Sequence, residues 1–378
     1  MSNIVYFDNS ATTKPCAKAV EYINNALCEN WGNPSSLHRM GMNAEIAVNE
    51  SRETVASFLH CREDEIFFTS CGTESNNTAI MSVKHKKHNG NRIITTAIEH
   101  PSVLEPIKAL EKQGYEVIYL HPDSNGVISI KKLESNLNSN TCLVSIMLVN
   151  NEIGSIQPVF EAAELTKRLC PNALFHTDAV QAFGKLPINL QRTKIDLLTA
   201  SGHKIHGPKG IGILYKRKGI NISPVLLGGG QENNLRSGTE AVPLICGLQG
   251  AIEEIGNPER LYKRQTELFE YAYKKLSELD FIKFNSGLNG LPYIINISVP
   301  GYRSEVLQHF LENKNIFVSS GSACAKGELS YVLREIGASA IDIDGALRLS
   351  FSRYNSKTDI DLFCSALYEA KNTLKKSI

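Results

Sequence analysis

Between about residues 45 and 250 the chain alternates two patterns. Short apolar runs rich in β-branched and aromatic residues read as strands: "EIFFTS" (65–70), "RIITTA" (92–97), "YEVIYL" (115–120), "TCLVSIMLV" (141–149), "ALFHT" (173–177), "IDLLTA" (195–200) and "GIGILY" (210–215). Between most of them lie segments such as "SVLEPIKALEKQG" and "PVFEAAELTKRLC", whose apolar residues recur at the spacing of one helix face. Strands separated by helices are joined by crossovers, so the expectation is an α/β fold whose mostly parallel sheet is covered on both faces.

The pattern changes near residue 257. A long amphipathic stretch, "PERLYKRQTELFEYAYKKLSEL", is followed by the shorter strands "YIINISV", "IFVSS" and "ALRLSFS" and by a final helix from about residue 358. The expected organisation is a large domain over 16–257 and a smaller α+β domain over 258–378, joined by residues 1–15. The basic cluster "KHKKHNGNR" (84–92) reads as a solvated helix end, where cations are favoured.

Composition narrows the function classes. The chain has 378 residues, 42% hydrophobic and 21% charged, enough for a well-buried core and with no bias towards disorder. A net charge of +1 gives no overall field for nucleic acid or an anionic membrane, so any anion must be held by a local site. The opening residues lack a signal-peptide pattern, and no apolar run approaches the roughly 18 residues of a membrane span; a cytoplasmic location is expected. Nine scattered cysteines without a C-x-x-C pair indicate neither a disulfide framework nor a metal site.

In an open parallel sheet, ligands sit beyond the carboxyl ends of the strands. Here those ends are polar. "CGTESNN" follows the first run and opens a helix, with Gly72 and Thr73 suited to seat a phosphate on backbone N–H groups. His100 follows the second run; Asn150, Asn151 and Glu152 follow "TCLVSIMLV"; Asp178 and Gln181 follow "ALFHT"; Ser201, His203 and Lys204 follow "IDLLTA". Singly, each has a plain structural role as a cap, a buried ion pair or a core histidine. Jointly they meet the needs of pyridoxal phosphate: a lysine for the Schiff base, a carboxylate for the pyridine nitrogen, an anion seat and an aromatic ring. No P-loop or dinucleotide fingerprint competes with that reading.

With these residues in place, the sequence resembles the cysteine desulfurases of the NifS/IscS kind, in the class V, fold-type I group of pyridoxal-phosphate enzymes. The likeness runs through "YFDNSATTKP", "GNPSSLHRMG", "FTSCGTESNN", "EHPSV", "VNNEIGSIQP", "HTDAVQAFGK", "SGHKIHGPKG", "GGGQENNLRSGTE", "SSGSACAKG" and "ALRLSFSRYN". The resemblance implies that Lys204 carries the cofactor and moves protons, with His100 stacked on the ring and serving as a proton carrier. Asp178 would pair with the pyridine nitrogen, and Gln181 and Asn151 would lie by the ring oxygen. Gly72, Thr73, Ser201 and His203 would hold the phosphate, with Thr239 reaching it from a partner subunit of a homodimer. Arg348, sharing the contact with Asn151, would hold the carboxylate of the substrate L-cysteine.

Cys324 lies in the Gly/Ser/Ala-rich "SSGSACAKG", which suits a mobile loop; the resemblance implies that it receives sulfur as a persulfide and passes it to a protein acceptor, an iron-sulfur scaffold or a tRNA-thiolating enzyme. Cys142, inside an apolar run, reads as core. A selenocysteine lyase, or another class V enzyme without protein sulfur transfer, remains the alternative.

Overall fold

The computed structural model describes residues 4–84, 90–320 and 329–376. Residues 85–89 of the basic cluster and the Cys324 segment lie outside the described residues. The first strand, β1 (Val5–Tyr6), pairs far along the chain. The next seven are β2 (Ile66–Thr69), β3 (Arg92–Thr96), β4 (Glu116–Leu120), β5 (Thr141–Ser145), β6 (Leu174–Asp178), β7 (Leu197–Ser201) and β8 (Gly212–Lys216). They form one sheet in the order β2-β8-β7-β6-β5-β3-β4, parallel except for β8, which runs against both neighbours. Every residue of β5, β6 and β7 is buried, as expected of central strands covered on both faces. The reversal at β8 follows from length, because the link from Ser201 to Gly212 is too short for a parallel crossover of a dozen or more residues.

The run "TCLVSIMLV" is strand only as far as Ser145. Beyond it, Ile146 and Leu148 still donate to the carbonyls of His176 and Asp178 on one side. On the other side the neighbouring strand has ended, and the Met147 N–H donates to the Glu99 carboxyl at 2.7 Å. Residues 146–149 thus keep strand-like burial without a second neighbour.

A second sheet contains β9 (Lys283–Phe284), β10 (Ile294–Ser298), β12 (Ser319–Ser320) and β13 (Ala346–Ser350), antiparallel in the order β12-β13-β10-β9. Strand β11 (Ile316–Phe317) pairs in parallel with β1. Helices Pro258–Ser277 and Lys357–Thr373 cover this sheet with Leu268, Phe269, Phe363 and Leu367, and Ser356 and Asp359 form a capping box on the second helix. The opening residues belong to the same core: Phe7 is wholly buried, edge-on to Phe351 at 5.2 Å and Phe363 at 6.1 Å. Among the described residues, no helix is long and apolar enough to cross a membrane.

Phe7 fastens the N-terminal segment to this core. Phe7→Ala is expected to cost about 3–5 kcal/mol, read as a lowered midpoint of urea unfolding; an unchanged midpoint would show that the segment is not held there.

Candidate active site

The carboxyl ends of β5, β6 and β7, the start of helix Gly72–Met81 and residues 10 and 11 line a cleft-like cavity of about 270 Å³. Lys204 enters it from a single 3₁₀ turn, Gly202–Lys204, directly after β7. Gly202 is needed there because a Cβ would meet Ile211 Cγ2 at 2.8 Å. The turn is stitched to the N-terminal segment: Thr13 N–H donates to the His203 carbonyl at 2.9 Å, and His206 N–H donates to Thr13 Oγ1 at 2.7 Å. His206 takes a left-handed conformation (φ 69°), and its Nδ1 bonds the Lys14 carbonyl at 2.9 Å. Lys204 Nζ donates to the carbonyls of Ser10 at 2.5 Å and Ala11 at 2.8 Å. Burial first, then neighbouring cations, pushes His203 and His206 each down to about 4, so both rings are neutral around the lysine.

Asp178, the last residue of β6, is held at both oxygens: Oδ2 accepts from Asn76 Nδ2 at 2.7 Å and Oδ1 from Val180 N–H at 2.9 Å. Asn76 also donates to Ser102 Oγ at 2.8 Å. Ser102 turns its hydroxyl to His100 Nδ1 at 2.7 Å, and its N–H donates to the same nitrogen at 3.1 Å. With two donors on Nδ1, the network assigns the ring proton to Nε2. Burial, then Lys204, lowers the pKa of His100 against the pull of Asp178. Its ring is presented to the cavity as a neutral imidazole.

The helix starting at Gly72 supplies the anion seat. Its N-cap, Cys71, makes no side-chain cap, and a Cβ on Gly72 would meet Val180 Cγ2 at 2.9 Å. Thr73 lines the cavity beside it. Ser201 Oγ is buried there with no partner among the described residues. A helix N-terminus, a glycine and an unsatisfied buried hydroxyl fit a phosphate, so the donor set suits pyridoxal 5′-phosphate.

Arg348 comes from β13 of the second sheet, 5% exposed. Its Nη2 pairs with Asp8 Oδ1 at 2.9 Å, and Nη1 donates to the Asn151 carbonyl at 3.1 Å. Gln181 closes the floor, donating to the Ser10 carbonyl at 2.9 Å.

The structure therefore brings Gly72, Thr73, His100, Asn151, Asp178, Gln181, Ser201, His203, Lys204 and Arg348 to one cavity. Thr239 is exposed and does not line it. Cys324 lies outside the described residues, but both flanks of its segment are anchored: Ser319 pairs with Arg348 in the second sheet, and Ser330 donates to Glu152 Oε2 at 2.5 Å. Burial raises Glu152 to about 6 despite that bond and the nearby Arg348. Sequence reasoning gave no role to Asp8, Ser10, Ala11, Asn76 or Ser102. Asn76 could have been found, since it stands four residues after Gly72 on the same helix face. Ser10 and Ala11 act through backbone carbonyls, which leave no signature in side-chain type.

The chain belongs to the class-V aminotransferase family, whose model matches residues 5–363. It is 42% identical over 378 residues to a cysteine desulfurase of Nostoc sp. (strain PCC 7120), covering 99% of this chain and 94% of that one. Among solved structures, a NifS-like protein matches with a TM-score of 0.93 and 38% identity over 98% of this chain and 100% of its own. SspA in complex with cysteine matches at 0.83 and 35% identity, covering 93% of this chain and 100% of that one. The chain is thus a pyridoxal-phosphate-dependent enzyme of fold-type I with cysteine desulfurase activity.

Glu99, wholly buried beside this site, gives a pH test. Burial raises its pKa to about 8, with Asp178 adding to the rise against the bonds from Met147 N–H and Thr96. A carboxyl whose folded pKa lies above its unfolded value contributes stability below the unfolded value, and loses it as pH rises through about 8. Glu99→Gln cannot titrate, so the melting-temperature gap between wild type and variant should move in the variant's favour from pH 5 to pH 9. A gap constant with pH would refute the protonated state.

Proposed function

We propose that the cavity holds pyridoxal 5′-phosphate with Lys204 as its covalent anchor and Asp178 at its pyridine nitrogen. The phosphate lies on Gly72, Thr73, Ser201 and His203, the face of the ring against His100, and Gln181 and Asn151 by its ring oxygen. The observation that carries this reading is the pairing of one half-buried, carbonyl-held lysine with a doubly held carboxylate across a helix N-terminus suited to an anion. Bound there, the cofactor supplies an electron sink for negative charge at the substrate Cα.

In this reading Arg348, with Asn151, takes the carboxylate of L-cysteine, for which the guanidinium fork is well shaped. Lys204 removes the Cα proton and returns a proton as alanine forms. The Cys324 thiolate attacks the substrate sulfur; the Cβ–S bond breaks, an S–S bond forms and Cys324 carries a persulfide. The anchored flanks of its segment beside Arg348 and Glu152 support this route. The sulfur then passes to a protein acceptor.

We also infer a homodimer. Trp31, Leu37 and Leu227 are 66%, 97% and 83% exposed, more than scattered surface apolar residues require, and Thr239 stands outside its own chain's cavity. Two domains, 16–257 and 258–378 with 1–15, accord with the separate seven-stranded and four-stranded sheets.

The test is alanine and sulfide release from L-cysteine with a thiol reductant. Wild type should give equal amounts; Cys324→Ala should bind cofactor and release neither, and Lys204→Ala should lose the visible absorbance of the bound cofactor. Full activity in either variant would sink the assignment, and a much faster reaction with selenocysteine would make the chain a selenocysteine lyase. Separately, Leu227→Glu should shift the mass in solution from dimer to monomer and weaken cofactor retention; an unchanged mass would place the interface elsewhere.

A further inference from the structure

Lys204 also borders a second, much smaller void of about 20 Å³, lined by Lys185, His206, Tyr293 and Arg353 among others. Lys185 stands in "HTDAVQAFGK", four residues after Gln181 in the turn that follows β6, and is not among the residues lining the main cavity. It is 7% exposed, and among the described residues its ammonium has one hydrogen-bond partner, Gln181 Oε1 at 3.1 Å, with the Tyr293 ring 5.7 Å away. A buried lysine without a carboxylate is costly, and a methionine of similar length would avoid that cost.

The partner shows what the lysine does. The Gln181 amide is gripped at both ends: Nε2 donates to the Ser10 carbonyl at 2.9 Å and Oε1 accepts from Lys185. A flip would set the amide oxygen against the Ser10 carbonyl and the NH₂ against the ammonium. The second N–H of Nε2 therefore remains on the cavity side, and the same Ser10 carbonyl also holds Lys204. We propose that Lys185 is a positioning residue that acts through Gln181, fixing its amide so that a donor, never the oxygen, is turned to the ring oxygen of the cofactor. The inference rests on the assignment of Gln181 to that oxygen.

The charge environment sets the range of this lock, which holds where Lys185 is protonated and relaxes once it is a neutral amine able to accept from the Gln181 NH₂. Burial, then Lys204 and Arg348, pulls Lys185 down to about 7. Lys204, Arg348, His203, His206 and Arg353 face it from the other elements packed around it, with Tyr293 beneath, and none is acidic. A donor fixed on the ring oxygen stabilises its anionic form and so lowers the pH at which the lysine-bound cofactor loses its proton.

The experiment uses holoenzyme of wild type, Lys185→Met, Lys185→Arg, Gln181→Ala and the Lys185→Met/Gln181→Ala double variant. Two quantities are read: the apparent pKa of the visible absorbance change, and the dissociation constant for pyridoxal 5′-phosphate on reconstituting the apoenzyme. Lys185→Met should raise the apparent pKa and weaken binding roughly three- to tenfold, the scale of one lost hydrogen bond. Lys185→Arg should restore both. In the Gln181→Ala background, Lys185→Met should change either quantity less than about twofold, since coupled residues are non-additive. Wild-type values in Lys185→Met, or an undiminished effect in the Gln181→Ala background, would overturn the proposal. Apoenzyme melting temperatures separate a folding defect from these effects, and if Lys185→Met does not fold, Lys185→Gln is subjected to the same cycle. Wild type that takes up no cofactor would overturn the reading of the site itself, an outcome distinct from failure of the Lys185 inference.

Discussion

An ammonium is drawn part-way out of water at low cost where fixed acceptors replace the water it gives up, and the site is arranged around that exchange at Lys204. The acceptors are the backbone carbonyls of Ser10 and Ala11, from a segment almost two hundred residues away in sequence. The same segment anchors in the second core through Phe7 and meets Arg348 through Asp8. Over a few residues it links the two sheets, the lysine and the arginine. A disturbance of the small sheet therefore reaches Lys204 without touching the large one.

The elements that were legible in the sequence are those fixed by burial. The central strands are apolar on both faces, and their runs mark them whatever the neighbouring chain does. Residues at strand ends were legible as well, because the geometry of parallel sheets gathers them. Less visible was the place where pairing is one-sided: "SIMLV" reads as strand beyond Ser145, but the Glu99 side chain takes the place of the next strand. Asp8 could not be placed on Arg348 from sequence, since their pairing spans 340 positions. Lys185 was hidden for the opposite reason, as one residue of a motif whose other members have plainer chemistry.

Burial also decides which groups carry charge. His203 and His206 are neutral, Glu99 is protonated at neutral pH, and the charges that remain are few and individually held. Asp178 has two donors, and Arg348 has Asp8. An anion at the start of helix Gly72–Met81 would then rest on N–H groups, a hydroxyl and a neutral ring, all fixed dipoles that need no counter-ion of their own. Such a seat strengthens as water is excluded, whereas a cluster of surface lysines would weaken with salt.

The same network limits what His100 can do. Its Nδ1 lone pair is taken by the N–H and hydroxyl of Ser102, and the hydroxyl is oriented because Ser102 Oγ accepts from Asn76. Only Nε2–H is left to meet the cavity. A neutral imidazole that offers this N–H is a hydrogen-bond donor and a flat face; to act as an acid it must first be protonated at Nδ1, which breaks the contact with the Ser102 N–H. Burial and Lys204 oppose that protonation. The arrangement thus suits a ring that stacks and donates, and in the proposed mechanism it leaves proton movement to Lys204, which among the described residues is the amine lining that cavity.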